Sequence, residues 1–174
     1  MRGPVLTTNG ERVFKLSPGQ IIKVNEILQR VYKDYLEVEK LRTTEGLGGL
    51  NHIVTIVEPF TEAEIAELEE KLWSQLDNVI DVEQQKIMRL NLGVHVGEGM
   101  LGLSDNKWKP GILGWGRHGC QIELWKVGTW YHWKTRIKTK HSSMTTAEDS
   151  APELPAAFKR FWREGAETET EFSK

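Results

Sequence analysis

Apolar residues in the first half of the chain recur at intervals of three and four. Ile21, Val24, Leu28, Val31, Tyr35 and Val38 follow 3-4-3-4-3 spacing, and Leu41 extends the series. This places one continuous stripe on a single helix face. Ser17 stands before it as a cap, Pro18 fits the first helical position, and Gln20 follows the serine by three residues, the capping-box spacing. A helix is predicted over about 18–43, with a stripe that needs a partner. Gly46, Gly48 and Gly49 then break the pattern, and the β-branched run from His52 to Glu58 reads as a strand or extended link ended by Pro59. A second helix is predicted from Thr61, where Glu64 completes another box. It carries Ile65, Leu68, Leu72, Leu76 and Val79 at the same spacing. Asp81 with Gln84 makes a third box, so the helix bends or restarts near Asp81 and continues through Ile87 and Leu90. Two such helices pack most simply as an antiparallel hairpin.

The pattern changes after residue 92. Glycines recur from Gly93 to Gly119, and Lys109-Pro110-Gly111 is a turn signal, so this stretch reads as a long irregular connection. Alternation of period two follows from Cys120 to Lys138, turning around Val127-Gly128. With a two-residue turn, Leu124 opposes Tyr131 and Ile122 opposes Trp133 on a core face that also carries Ile137. Trp125 opposes Trp130 and Glu123 opposes His132 on the other face, followed by Lys134, Arg136 and Lys138. Residues 141–151 read as polar and flexible. The run from Pro155 to Glu164 reads as a short closing helix with Phe158, Phe161 and Trp162 able to dock, and the acidic tail after Gly165 is expected to fray. Residues 1–16 read as a loose lead-in with the turn signal Thr8-Asn9-Gly10.

The expected class is therefore α+β: a helical hairpin with its lead-in over residues 1–92, then over residues 93–174 the Gly-rich connection, a Trp-rich β-hairpin and the closing helix, the two sharing one core. Composition agrees: 174 residues at 39% apolar and 28% charged can bury a core. The net charge of −2 gives no global drive towards nucleic acid or anionic lipid. No segment is apolar enough to span a bilayer as a helix. Met1 to Lys15 lacks a signal-peptide core. Two compartments stay open: cytoplasmic, or extracytoplasmic with a leader or anchor left off.

Candidate chemistry is sparse. Cys120 is the single cysteine, which excludes an intrachain disulfide. His118 shares its strand face, so a Cys/His pair is conceivable, although a small buried thiol is the stronger reading. His118, Cys120, His132 and His141 match no tight zinc spacing, and His132 falls on the face opposite Cys120. His52 and His95 sit elsewhere. Carboxylates such as Glu62, Glu64, Glu67, Glu69 and Glu70 read as a solvated face. No phosphate-binding loop is present. No catalytic residue, metal or cofactor is expected. The strip of Trp125, Trp130, Lys134, Arg136, Lys138 and Lys140 is the least ordinary feature. It suits an acidic peptide, a glycan or a nucleic-acid strand, unless the tryptophans are covered and the lysines guard a sheet edge.

Leu16-Ser17-Pro18-Gly19-Gln20, and more loosely Val79-Ile80-Asp81-Val82-Glu83-Gln84 after Leu72-Trp73-Ser74-Gln75-Leu76, resemble the LTxxQ superfamily of bacterial envelope proteins. These include the Spy/CpxP-like stress chaperones and related heavy-metal-resistance sensors. The resemblance covers roughly residues 16–92. It implies a helical hairpin, often a dimeric cradle, that binds unfolded clients or regulates envelope-stress and metal-response systems. The helices here contain no histidine, so metal sensing is not carried over, and the Trp-rich module lies outside the family pattern. The expectation is a non-enzymatic binding or regulatory protein in envelope stress, with a protein or peptide partner, a homodimer through the helical seam and no specific nucleic acid. The rival is an interaction domain of a cytoplasmic or sigma-factor-associated regulator. A small hydrolase using Cys120 is the minor alternative.

Overall fold

The computed structural model describes residues 4–46, 48, 52–92, 101–103, 119–138 and 143–163. The protein is α+β. A strand β1 (Pro4–Leu6) and a six-residue helix α1 (Thr8–Val13) lead into helix α2 (Pro18–Leu41); strands β2 (Thr43–Glu45) and β3 (His52–Val57) connect it to helices α3 (Glu62–Leu76) and α4 (Val82–Leu92). Strands β4 (Leu101–Leu103), β5 (Gly119–Val127), β6 (Trp130–Lys138) and β7 (Ser143–Ala151) complete the order.

The capping boxes set the helical half. Ser17 and Gln20 cap α2 reciprocally, as Thr61 and Glu64 cap α3. Asp81 and Gln84 do the same for α4, with Gln84 N–H donating to Asp81 Oδ1 at 2.8 Å and Asp81 N–H to Gln84 Oε1 at 3.0 Å. The helix breaks between Leu76 and Val82. Helices α2 and α3 run antiparallel: Arg42 meets Glu64 at one end, Lys71 reaches Asp34 midway, and Arg30 meets Gln75 further on. Val24, Leu28, Val31 and Tyr35 of α2 and Ile65, Leu68, Leu72 and Leu76 of α3 bury the seam within one chain. A second copy is thus not needed to cover it.

The stripe ends earlier than its spacing predicts. Leu41 is 82% exposed, because a straight helix turns 100° per residue and a 3-4 repeat drifts off its face. Glu39 occupies the buried side there instead. On α4 the inward residues are Gln84 and Met88, while Leu90 is 77% exposed.

The two boxes at the base of the hairpin are tied to each other. Gln20 Nε2 donates to Gln84 Oε1 at 2.9 Å and to Val79 O at 3.0 Å, and Gln84 Nε2 donates to Lys15 O at 2.9 Å. Each glutamine thus caps its own helix and bonds the carbonyl two residues before the other cap.

The lead-in is ordered where a loose segment is predicted. Thr7 Oγ1 caps α1 by accepting from Gly10 N–H at 3.1 Å, Phe14 is fully buried, and β1 pairs antiparallel with β4. Leu6 N–H donates to Asn25 Oδ1 at 2.8 Å, which fixes β1 against α2.

The second half is a five-stranded antiparallel sheet in the order β2-β3-β5-β6-β7. The β5–β6 hairpin turns at Gly128-Thr129, one residue later than predicted. Leu124 therefore opposes Trp133, Trp125 opposes His132 and Val127 opposes Trp130. Gly128 has φ +60°, a conformation that two-residue hairpin turns need at the first central position and that glycine adopts freely. The slip is two places in partner and none in face, so the predicted core face is kept. Strand β7 stands where a flexible segment is predicted; it pairs with β6 from Tyr131↔Ala151 to Lys138↔Ser143. The closing segment is a run of i→i+3 turns, Phe158 N–H to Pro155 O and Phe161 N–H to Phe158 O among them. It places Leu154, Phe158 and Phe161 against Cys120, Ile122, Leu124 and Trp133 as a second apolar cluster.

Candidate functional site

Alternation along the strands gives the sheet two unlike faces. One bears Thr55, Val57, Cys120, Ile122, Leu124 and Trp133 and is sealed by the closing segment. The other carries the aromatic and charged strip. The register aligns His52, Trp125 and His132 across β3, β5 and β6, and sets Val54, Glu123, Lys134 and Glu148 in the next row.

The rings in the first row touch. Trp125 and His132 stack with centroids 5.5 Å apart and planes 11° from parallel, and His52 meets Trp125 edge-on at 5.7 Å. Such offset and edge contacts suit the ring quadrupoles. Trp130, nearer the turn, is 49% exposed, and its neighbour Val127 is exposed as well.

The second row is held by charge. Glu123, 13% exposed, accepts from Gln121 Nε2 at 3.0 Å and pairs with Arg136, while His52 Nε2 lies 3.4 Å from its second oxygen, off hydrogen-bond geometry. Lys134 Nζ is 2.6 Å from Glu148 Oε2. Both described cations of the predicted strip are therefore matched by carboxylates. Beside this row Val54 and Ile56 floor a shallow depression of about 590 Å³, rimmed by Glu45, Gly46, His52, Gln121 and Glu123. Gly46 keeps it open: a Cβ there would lie 2.6 Å from Val54 Cγ1.

The fold thus brings Trp125, Trp130, Lys134 and Arg136 to one face. Lys138 pairs with Gly119 in the strand ladder, and its side chain lies outside the described part. Lys140, His95, His118 and His141 also fall outside the described residues. Sequence reasoning placed Glu123 on this face but missed its clamp, and missed that His52 and Glu148 join it. No local signal reports either: His52 meets Trp125 through a pairing that spans more than 70 positions, and Glu148 sits in the unpredicted strand β7.

Among the described residues the other candidates do not come together as sites. Cys120 is buried on the opposite face from His132, and burial, reinforced by the Glu39 carboxylate, pushes its thiol up to about 11. A thiol held protonated at neutral pH is a poor nucleophile. Among the described residues, no three His, Cys, Asp or Glu side chains are placed to hold a metal ion.

A buried polar junction lies between the two apolar clusters. Arg160 Nε donates to Glu39 Oε1 at 2.7 Å and Nη2 to Oε2 at 3.0 Å; Tyr35 O–H donates to the same Oε2 at 3.2 Å. Arg160 also donates to Ala157 O. Burial, then the carboxylate beside it, holds the Tyr35 hydroxyl well above the usual tyrosine range. Burial alone would lower the Arg160 guanidinium, but Glu39 outweighs it and the net direction is up. Both Glu39 oxygens, the Tyr35 hydroxyl and each of the three Arg160 nitrogens make a bond within the chain, which marks the junction as structural.

No family model, curated protein or solved structure matches the chain.

Proposed function

We propose that this is a non-enzymatic binding or regulatory protein whose working surface is the open face of the sheet. The observation that carries the reading is the contrast between the two faces. One is filled by the closing segment, while the other presents the His52–Trp125–His132 row and a half-exposed Trp130 on rigid strands. Rings fixed by cross-strand stacking lose little freedom when a partner arrives. A peptide and a glycan both fit such a face; the paired cations weaken the case for an acidic partner.

A role in envelope stress rests on the resemblance of the helical half to the LTxxQ superfamily. Supporting it, the two motif copies, 64 residues apart, meet through the Gln20–Gln84 bonds, so both work as one unit at the hairpin base. The alternative, an interaction domain of a cytoplasmic or sigma-factor-associated regulator, uses the same face and is separated by the compartment in which the native protein is found. A hydrolase built on Cys120 draws no support from a buried, protonated thiol.

The reading is tested with Trp130→Ala. The expected outcome is loss of partner capture with stability within about 0.5 kcal/mol of wild type, as for surface changes. Destabilisation by several kcal/mol would mean that the ring is structural and that the face is not the working surface.

A further inference from the structure

Resting on the open sheet face as the working surface, we propose that its ligand is a neutral oligosaccharide. Trp130 serves as the stacking platform, the His52–Trp125–His132 row forms a rigid aromatic wall beside it, and the Glu123–Arg136 and Lys134–Glu148 pairs serve as partners for hydroxyls.

Charge decides against the ionic alternatives. Arg136 is matched by Glu123 and Lys134 by Glu148, so an acidic peptide or a phosphate backbone would have to displace a carboxylate already in place. Glu123 is the harder to displace, being nearly buried and held by Gln121 as well. The same pairing leaves no unmatched carboxylate in that row to draw a cationic peptide. A hydroxyl is donor and acceptor at once. It can accept from a guanidinium and donate to the adjacent carboxylate without separating them, and an oligosaccharide presents several such groups on each ring. Arg136 faces Gln121 across the β5–β6 pairing, about 4.8 Å away, and Glu123 follows Gln121 by two positions on the same face of β5, so donors and acceptors alternate over one small patch.

The aromatic groups add the second half of the chemistry. The weakly positive C–H face of a pyranose ring suits the negative face of an indole. Trp130 is half exposed and is the ring that can take up such a contact, while Trp125 is flanked by His132 and His52 and lines its side. On the β3 side of this row, beginning at His52, the depression floored by Val54 and Ile56 measures about 590 Å³, within the range of small-ligand sites.

The test is a calorimetric titration of the full chain with four neutral hexasaccharides (cellohexaose, hexa-N-acetylchitohexaose, xylohexaose and mannohexaose) and with hexaglutamate as the acidic probe. At least one hexasaccharide is expected to bind saturably, with an affinity unchanged between low and high salt because no net charge is involved. Trp130→Ala should weaken it about tenfold or more at an unchanged melting temperature, as aromatic anchors do, and Trp130→Phe should retain it. Glu123→Gln should lose the sugar and, with Arg136 unmatched, begin to bind hexaglutamate. Failure of all four hexasaccharides overturns the inference. If hexaglutamate instead binds the wild type and Trp130→Ala abolishes it, the face remains the working surface with an anionic partner. If nothing binds and Trp125→Ala and Trp130→Ala both melt far below wild type, the reading of the face falls as well.

Discussion

Glu39 is 3% exposed, and a carboxylate so placed must be met by a cation or several donors. Arg160 and Tyr35 supply both. Glu39→Gln keeps the shape but leaves the guanidinium buried without its counter-charge, a change that costs about 3–5 kcal/mol in comparable pairs. Chemical denaturation should record a loss of that size. A loss under about 1 kcal/mol would show that the pair is solvated in solution. Replacing both partners, as Glu39→Gln with Arg160→Met, should recover much of the deficit, since the penalty lies in the orphaned charge. Cys120 lies close enough to feel this carboxylate, and its thiol is pushed to about 11, first by burial and then by Glu39. The native state therefore keeps a proton that the unfolded thiol releases near its ordinary value of 9.0. Because the folded form binds more protons between those values, the contribution is complete below pH 9 and is lost as pH rises towards 11. The size is on the order of 2 kcal/mol. Tyr35, raised well above its ordinary value, shifts stability in the same direction at higher pH. Comparing wild type with Cys120→Ala isolates the thiol: the variant should lose less stability between pH 9 and 11. Parallel curves would refute it.

At the level of elements, the helical hairpin depends on side chains that are fully enclosed. Leu28 is fully buried and Leu72 is 3% exposed, both inside the α2–α3 seam. Leu28→Asp would bury an unpaired charge there and should cost about 3 kcal/mol or more. Far-ultraviolet melts check it, and an unchanged melting temperature would refute the packed seam. This hairpin was legible in the sequence because its signals are local. Ser17 with Gln20, Thr61 with Glu64 and Asp81 with Gln84 each lie within one turn, and each forms the predicted box. The core face of β5 and β6 was legible for the same reason, since period-two alternation survives an error of two places in register. What failed was non-local or finely geometric. Nothing near Pro4 announces that it faces Leu103, and the polar run of β7 becomes a strand only because β6 offers it an edge. The Glu123–Arg136 clamp was missed because the predicted register set Glu123 opposite His132 and not Lys134, and His52 joins only through the pairing of the distant strands β3 and β5. The turn moved by one residue because Gly128 takes φ +60° at the first rather than the second central position.

For the molecule as a whole, the question is whether two apolar clusters unfold as one. The helical cluster gathers α2, α3, α4 and the lead-in, and the sheet cluster gathers β3, β5, β6 and the closing segment. Covalent links join them at β2 and β3, with Glu58 N–H donating to Arg42 O at 2.9 Å. The Glu39–Arg160 pair joins them through space, across 121 positions of sequence. Burying a charge pair between two clusters makes their separation costly, because opening the contact while both clusters stay folded would strand each ion against partly dry surfaces. Unfolding should therefore be cooperative in the wild type. The chain carries two suitable reporters. Far-ultraviolet dichroism follows chiefly α2, α3 and α4. Tryptophan emission is the second: of the seven tryptophans, Trp125, Trp130, Trp133 and Trp162 report on the sheet half and Trp73 on α3, and Trp108 and Trp115, outside the described residues, are replaced by phenylalanine in the reporter protein. The two denaturation curves should coincide for wild type. In Glu39→Gln the emission curve should move to lower denaturant ahead of the dichroism curve. The closing segment then keeps a buried guanidinium with no counter-charge, whereas the α2–α3 seam and the Gln20–Gln84 bonds are untouched. Curves that separate already in wild type would mean that the junction does not couple the halves. Curves that shift together in the variant would mean that coupling runs through the strands connecting α2 to α3 and not through the ion pair.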